Sequence, residues 1–145
     1  MTPPPSATAP PPPAGLGRRL AALFYDGLLL TGVVFLAAIP PVALGGGEAV
    51  PVGDLAFRVY LLLVVLLYFG AQWTRGGQTL GMKTWRIRVV DAGGGALTWR
   101  QALVRFFAAL ASAAPLGAGF LWALADPEGR AWHDRLAGTR LVRVA

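Results

Sequence analysis

The sequence predicts an all-α membrane protein: a multi-pass helical bundle with two full spans, a broken third apolar segment and a small cytoplasmic two-stranded β element. Three observations carry this prediction. Hydrophobic residues make up 55% of the chain and charged ones 14%, where a soluble domain carries about 25% charged. Two apolar runs, 17–39 and 55–73, reach the roughly 20 residues that cross a ~30 Å hydrocarbon core. Lys and Arg flank these runs rather than covering a soluble face, so the net charge of +6 points to anionic lipid and membrane orientation. Nucleic acid is not expected as a partner. The mean hydropathy of +0.56 agrees with the membrane class.

The first run, GRRLAALFYDGLLLTGVVFLAAI, carries a single charge after Leu20, the carboxyl of Asp26. Arg18 and Arg19 at its start have long stems that reach headgroups. Asp26 lies about 9 Å further along the helix than Leu20 and is too short to do the same. An ionisable group at that depth needs a partner, a proton or a wet cavity. Residues 1–14, MTPPPSATAPPPPA, read as a disordered, polyproline-like tail and carry no basic residue, so no signal peptide is expected.

The Pro40–Asp54 loop holds Glu48 and Asp54 but no Lys or Arg, which places it outside. The second run begins at Leu55. Its Tyr60, Tyr68, Phe69 and Trp73 suit an interfacial belt, and Arg58 near its start can snorkel outward. The segment after it carries Arg75, Lys83, Arg86, Arg88 and Arg100, so it belongs inside, together with the amino terminus. Within it, Lys83–Val90 alternates as a strand does, and Asp91-Ala-Gly-Gly-Gly turns the chain. Thr98 followed by Gln101 is a capping box that starts a helix at Trp99. That helix breaks at Pro115–Gly119, and a short piece, Phe120–Ala125, follows. A single crossing by 101–125 would put the basic end outside and leave a bilayer between two similar strands, 83–90 and 139–144. A hairpin entering and leaving on the inner side avoids both.

The partner of Asp26 should come from another helix, because Arg19, seven residues away, is about 10 Å distant along the axis. Arg105 is the candidate. Such a pair reads either as a structural link between helices or as a carboxylate that exchanges a proton or cation with the cytoplasm. The run Gly76–Thr84 is not a phosphate loop, because Met82 separates Gly81 from Lys83 and a strand follows it. Its glycines, Gly77 and Gly81, serve a tight turn. His133-Asp134 lacks an accompanying nucleophile and reads as a hydrogen-bonded anchor of the carboxyl-terminal segment, with a pH-sensing His as the alternative. There is no cysteine and one histidine. No metal site, cofactor or enzymatic activity is therefore expected.

Three stretches, RRLAALFYDGLLL, GQTLGMKTWRIRVVDAGGGALTWRQALVRF and GFLWALADPEGRAWHDRLAGTRLVRV, carry a family likeness. With them the chain resembles the RDD family of small bacterial integral membrane proteins, named for one arginine and two aspartates. The resemblance places the arginine at Arg19, the membrane aspartate at Asp26 and the second aspartate at Asp134. Gly77, Gly81, Arg105 and Gly138-Thr139 also match the family pattern, whereas Lys83 departs from it by following Met82. It implies an RDD-like transmembrane domain over 15–145 in a bacterial cytoplasmic membrane, and a role in transport without a settled substrate. Two spans do not enclose a pathway, so transport requires a homo-oligomer or an unknown membrane partner. A scaffold or partner-docking module with a structural Asp26 is the other function these residues allow.

Overall fold

The first helix, α1 (Leu16–Leu44), is longer than its apolar run in a computed structural model that describes residues 10–115 and 117–145. It continues through Pro40 and Pro41, where the sequence predicts a loop. Pro41 has no N–H to give the carbonyl of Ala37, but the hydroxyl of Tyr60 donates to that oxygen at 2.9 Å. A side chain thereby supplies the donor that the ring removes, and the helix survives its prolines.

The second helix, α2 (Leu55–Gly76), starts at Asp54, whose carboxylate accepts from Phe57 N at 2.7 Å. Arg58 turns outward to the carbonyl of Val52. Gly77 ends α2 in the left-handed region at φ +66°, and a Cβ there would overlap the carbonyl oxygen of Val89. Both α1 and α2 are long and apolar enough to cross a membrane by length and composition. Their side chains Phe24, Leu28, Phe35, Leu36, Leu63 and Leu67 are exposed. Such a surface calls for lipid or a partner.

The segment after α2 is built from short pieces. Helix α3 (Leu80–Thr84) leads into strand β1 (Ile87–Asp91), so the strand begins four residues later than the alternation suggests. Met82 buries, Lys83 and Thr84 complete α3, Trp85 and Arg86 turn the chain, and only from Ile87 does the buried–exposed alternation meet a partner strand. Helix α4 (Trp99–Ala113) carries the expected Thr98–Gln101 capping box. After a break it turns by 108° into α5 (Ala118–Leu121) and a 3₁₀ turn (Trp122–Leu124), the bent pair expected at Pro115–Gly119. Helix α6 (Trp132–Ala137) leads through Gly138 into β2 (Thr139–Arg143). The strands pair antiparallel, with Val89 opposite Leu141 and Asp91 opposite Thr139.

The proline-rich tail is not free throughout. Residues 1–9 lie outside the described residues, but 12–14 run along β2. Arg143 N donates to Pro12 O and Ala14 N to Leu141 O, both at 2.9 Å. Proline fits this outer edge because only its carbonyl is used. The core lies within this assembly of short elements: Ile87, Val89 and Leu141 from the strands pack with Leu97, Ala102 and Phe106, and Ala22, Trp73 and Met82 join them.

Candidate functional site

The site is built where the first turns of α1 and the last turns of α2 meet the assembly of α3–α6 and the two strands, called the cap below. Arg19 and Asp26 stand two turns apart on α1, and each engages a different cap element. Asp26 is 2% exposed and faces α3. Its Oδ1 accepts from Gly81 N at 2.9 Å and from the Tyr68 hydroxyl at 3.4 Å, and its Oδ2 accepts from the Thr79 hydroxyl. The same Thr79 oxygen accepts from Met82 N at 3.2 Å and so caps α3. Gly81 is required by contact, since a Cβ would overlap the Ala22 carbonyl oxygen and lie 2.9 Å from Asp26 Cγ. Among the described residues Asp26 has three donors, all formally neutral, and no ion-pair partner.

The expected Arg105–Asp26 pair is therefore not formed. Arg105 sits on the second turn of α4, and α4 packs against α6 more than against any other element. That packing turns Arg105 Nη1 to Asp134 Oδ1 and to the Thr139 hydroxyl, the latter at 2.9 Å. Arg19 reaches the same carboxylate, with Nη1 at 3.1 Å from Asp134 Oδ2, and also donates to the carbonyls of Ala14 and Gly129. Asp134 Oδ2 further accepts from Ala131 N at 3.0 Å, which ties down the start of α6. The named residues thus divide into two clusters, Asp26 with Gly81 and Asp134 with Arg19 and Arg105. Gly77 belongs to neither; it holds β1 through Val89 N, at 2.7 Å from its carbonyl.

Asp134 is fully buried, which by itself raises a carboxyl's pKa; Arg105, by its charge and its hydrogen bond, overcomes this with help from Arg19 and holds Asp134 below the ordinary carboxylate value. His133 is pushed down to about 3, first by burial and then by Arg105. It is therefore neutral at physiological pH. It is not hydrogen-bonded to Asp134, because its Nε2 stands 3.9 Å from Oδ1. Instead its ring packs on Phe120 at 4.7 Å between centroids.

Several partners are absent from a reading of the sequence. Thr79 and Tyr68 complete the shell of Asp26. Trp73 is buried, with its ring 5.2 Å from the Arg105 guanidinium carbon and stacked on Phe69, instead of sitting in an interfacial belt. A threonine two residues before Gly81, at a helix start, is the one local signal that points to Thr79.

Between α1, α2 and α4 the structure leaves a cavity of about 360 Å³. Its walls include Leu23, Phe69, Phe106 and Ala109, and its charged or ionisable lining residues are Arg19, Asp26, Arg105 and His133. No group of His, Asp or Glu among the described residues is arranged to hold a metal ion.

The sequence model of the RDD family matches residues 13–138. No curated protein and no solved structure matches the chain.

Proposed function

Given that the chain belongs to the RDD family, we propose that it is a non-enzymatic, multi-pass module of the bacterial cytoplasmic membrane that presents its inner cap as a docking surface. In this reading α1 and α2 span the bilayer and the amino terminus lies inside with the cap. Arg75, Lys83, Arg88, Arg100 and Arg143 are exposed on or beside the cap. Each basic residue near an anionic membrane surface adds about 1 kcal/mol of attraction. Headgroups of the inner leaflet are thus the first partner, and a homo-oligomer or a second membrane protein the next.

One observation carries the choice of docking over transport: the two most deeply buried carboxylates among the described residues, Asp26 and Asp134, have their oxygens taken up by donors of the chain itself. A carboxylate that carries a cation or proton across a membrane has to give up such donors in every cycle. The remaining space beside it is apolar, which suits no cation. Cation–proton exchange through Asp26 is the competing function.

Proteoliposomes with imposed sodium, potassium and proton gradients decide between them. The expected result is no flux above protein-free vesicles for the wild type or for Asp26→Asn. A wild type that dissipates a gradient, beside a folded Asp26→Asn that does not, sinks the docking reading.

A further inference from the structure

We infer that the cavity between α1, α2 and α4 binds a single-chain anionic amphiphile, with its tail among the apolar walls and its carboxylate on the free edge of Arg105. The inference rests only on the membrane placement proposed above, not on docking.

Charge provides the first argument. Arg19 and Arg105 share one carboxylate, Asp134, and arginine does not lose its proton in proteins. His133, beside them, is neutral. Asp26 also lines the cavity, but its two oxygens are turned to Thr79, Gly81 and Tyr68. Farther out, Asp126 and Glu128 are balanced by Arg130 and Arg135. Within this cluster two cations share one anion, and the Asp26 carboxylate, although it balances the total across the cavity, makes no ion pair with either arginine. A guanidinium that is 2% exposed and shares its counter-charge can take an anion of its own.

Geometry provides the second. Arg105 makes both of its hydrogen bonds through Nη1, while Nε is buried with no partner and Nη2 has none among the described residues. The Nε–Nη2 edge is the fork that takes a carboxylate with two parallel bonds. Trp73 closes one face of the guanidinium. Trp73 Nε1 and His133 Nδ1, from two other residues that line the cavity, are also buried without partners among the described residues.

Access provides the third. Helix α1 packs on α2 and α3, and α4 packs on α2, α5 and α6, but α1 and α4 barely touch. The gap is rimmed by Leu20, Leu23 and Leu110, all about half exposed. It opens on the apolar side of the molecule, so the occupant enters from the lipid phase, tail and all. A volume of about 360 Å³ is that of a small-ligand site, enough for one chain but not for a two-chain lipid.

The full chain in an uncharged maltoside detergent, studied by native mass spectrometry, tests this with dodecanoate, dodecanol and dodecyltrimethylammonium as probes. Dodecanoate should bind one to one, roughly tenfold more tightly than dodecanol, and the cation should not bind. Gly27→Leu should abolish binding, because Gly27 lines the cavity and a Cβ there meets nothing within 4 Å. If Gly27→Leu fails to fold by circular dichroism, Ala109→Phe fills the same space from α4. Arg105→Lys, which keeps the charge and the pairing with Asp134 but not the fork, should weaken dodecanoate about tenfold and leave dodecanol unchanged. Equal binding of acid and alcohol overturns the inference, as does anion binding that survives both cavity-filling variants. A dimer that these variants dissolve assigns the gap to a second copy and overturns it too.

Discussion

Replacing Asp26 by Ala should be among the most damaging single changes in the chain, and replacing it by Asn should be mild. Loss of the carboxylate strands two buried donors, Gly81 N–H and the Thr79 hydroxyl. An unsatisfied buried donor costs about 1–3 kcal/mol, so Asp26→Ala should lose roughly 2–6 kcal/mol. Tyr68 adds nothing to this sum, since its hydroxyl is at 3.4 Å and only partly buried. Asn keeps an oxygen for Gly81 N, and its amide can donate to Thr79 Oγ1, which leaves a loss of about 1 kcal/mol. At about 3 °C per kcal/mol for a chain of this size, thermal midpoints in maltoside should fall by about 6–18 °C for Ala and about 3 °C for Asn. Thr79→Val should cost clearly less in the Asp26→Ala background than in the wild type, because the two positions share one bond. Asp26→Asn at or above wild-type stability, with Asp26→Ala alongside it, would refute the structural role and return Asp26 to the set of exchangeable carboxyls.

Further outcomes follow from the second cluster and from the prolines of α1. Asp134→Asn should destabilise by about 3–5 kcal/mol and exceed Arg105→Gln, because it leaves two buried cations unpaired whereas losing Arg105 leaves one balanced pair; midpoints of the two variants in the same detergent check the order. His133 stays neutral in the folded protein down to about pH 3, while in the unfolded chain it takes up a proton near 6.5. Stability is therefore full above about pH 6.5 and declines as pH falls toward about 3, by roughly 2 kcal/mol between pH 7 and pH 5. The depressed Asp134 adds a further loss only below the ordinary carboxylate value, so in a pH series of melts His133→Leu should flatten the upper window and leave the lower one. Tyr60→Phe should cost about 0.5–1.5 kcal/mol in the wild type but almost nothing in Pro41→Ala, where the restored N–H serves the Ala37 carbonyl itself; a double-mutant cycle in thermal midpoints reads the difference.

What could be read from the residues alone follows the range of the interaction. The two long apolar helices, the Thr98–Gln101 cap, the break after Ala113 and the pairing of the basic strands all rest on local chemistry or on periodicity. Contacts across the fold could not be read that way. Pro40–Pro41 reads as a helix end, and only Tyr60, about twenty residues on, reverses that. The string Pro10–Pro13 reads as a solvated tail, yet an extended proline segment has the shape and the free carbonyls to lie along β2. Depth alone matches Arg105 to Asp26, but the direction of its side chain is set by α6, a helix of six residues that is too short to show a period.

The depth argument for Asp26 shifts for a related reason. Since α1 continues to Leu44, it is about 43 Å long at 1.5 Å per residue, well beyond a ~30 Å hydrocarbon layer. Measured back from Leu44, such a layer ends near Asp26. In the membrane placement proposed above, the carboxylate then stands where the span meets the cap rather than deep within the span, and a backbone N–H and a threonine of α3 at the same level serve it in place of an ion-pair partner. The spacing of seven between Arg19 and Asp26 then acquires a mechanical sense. It places an arginine and an aspartate on one face of α1, one to bind the start of α6 and the other the start of α3, while Arg18 donates to the Trp85 carbonyl beyond α3 at 2.9 Å. The first turns of α1 are the beam on which the cap is assembled. A change at either residue should therefore loosen the cap before it disturbs the spans.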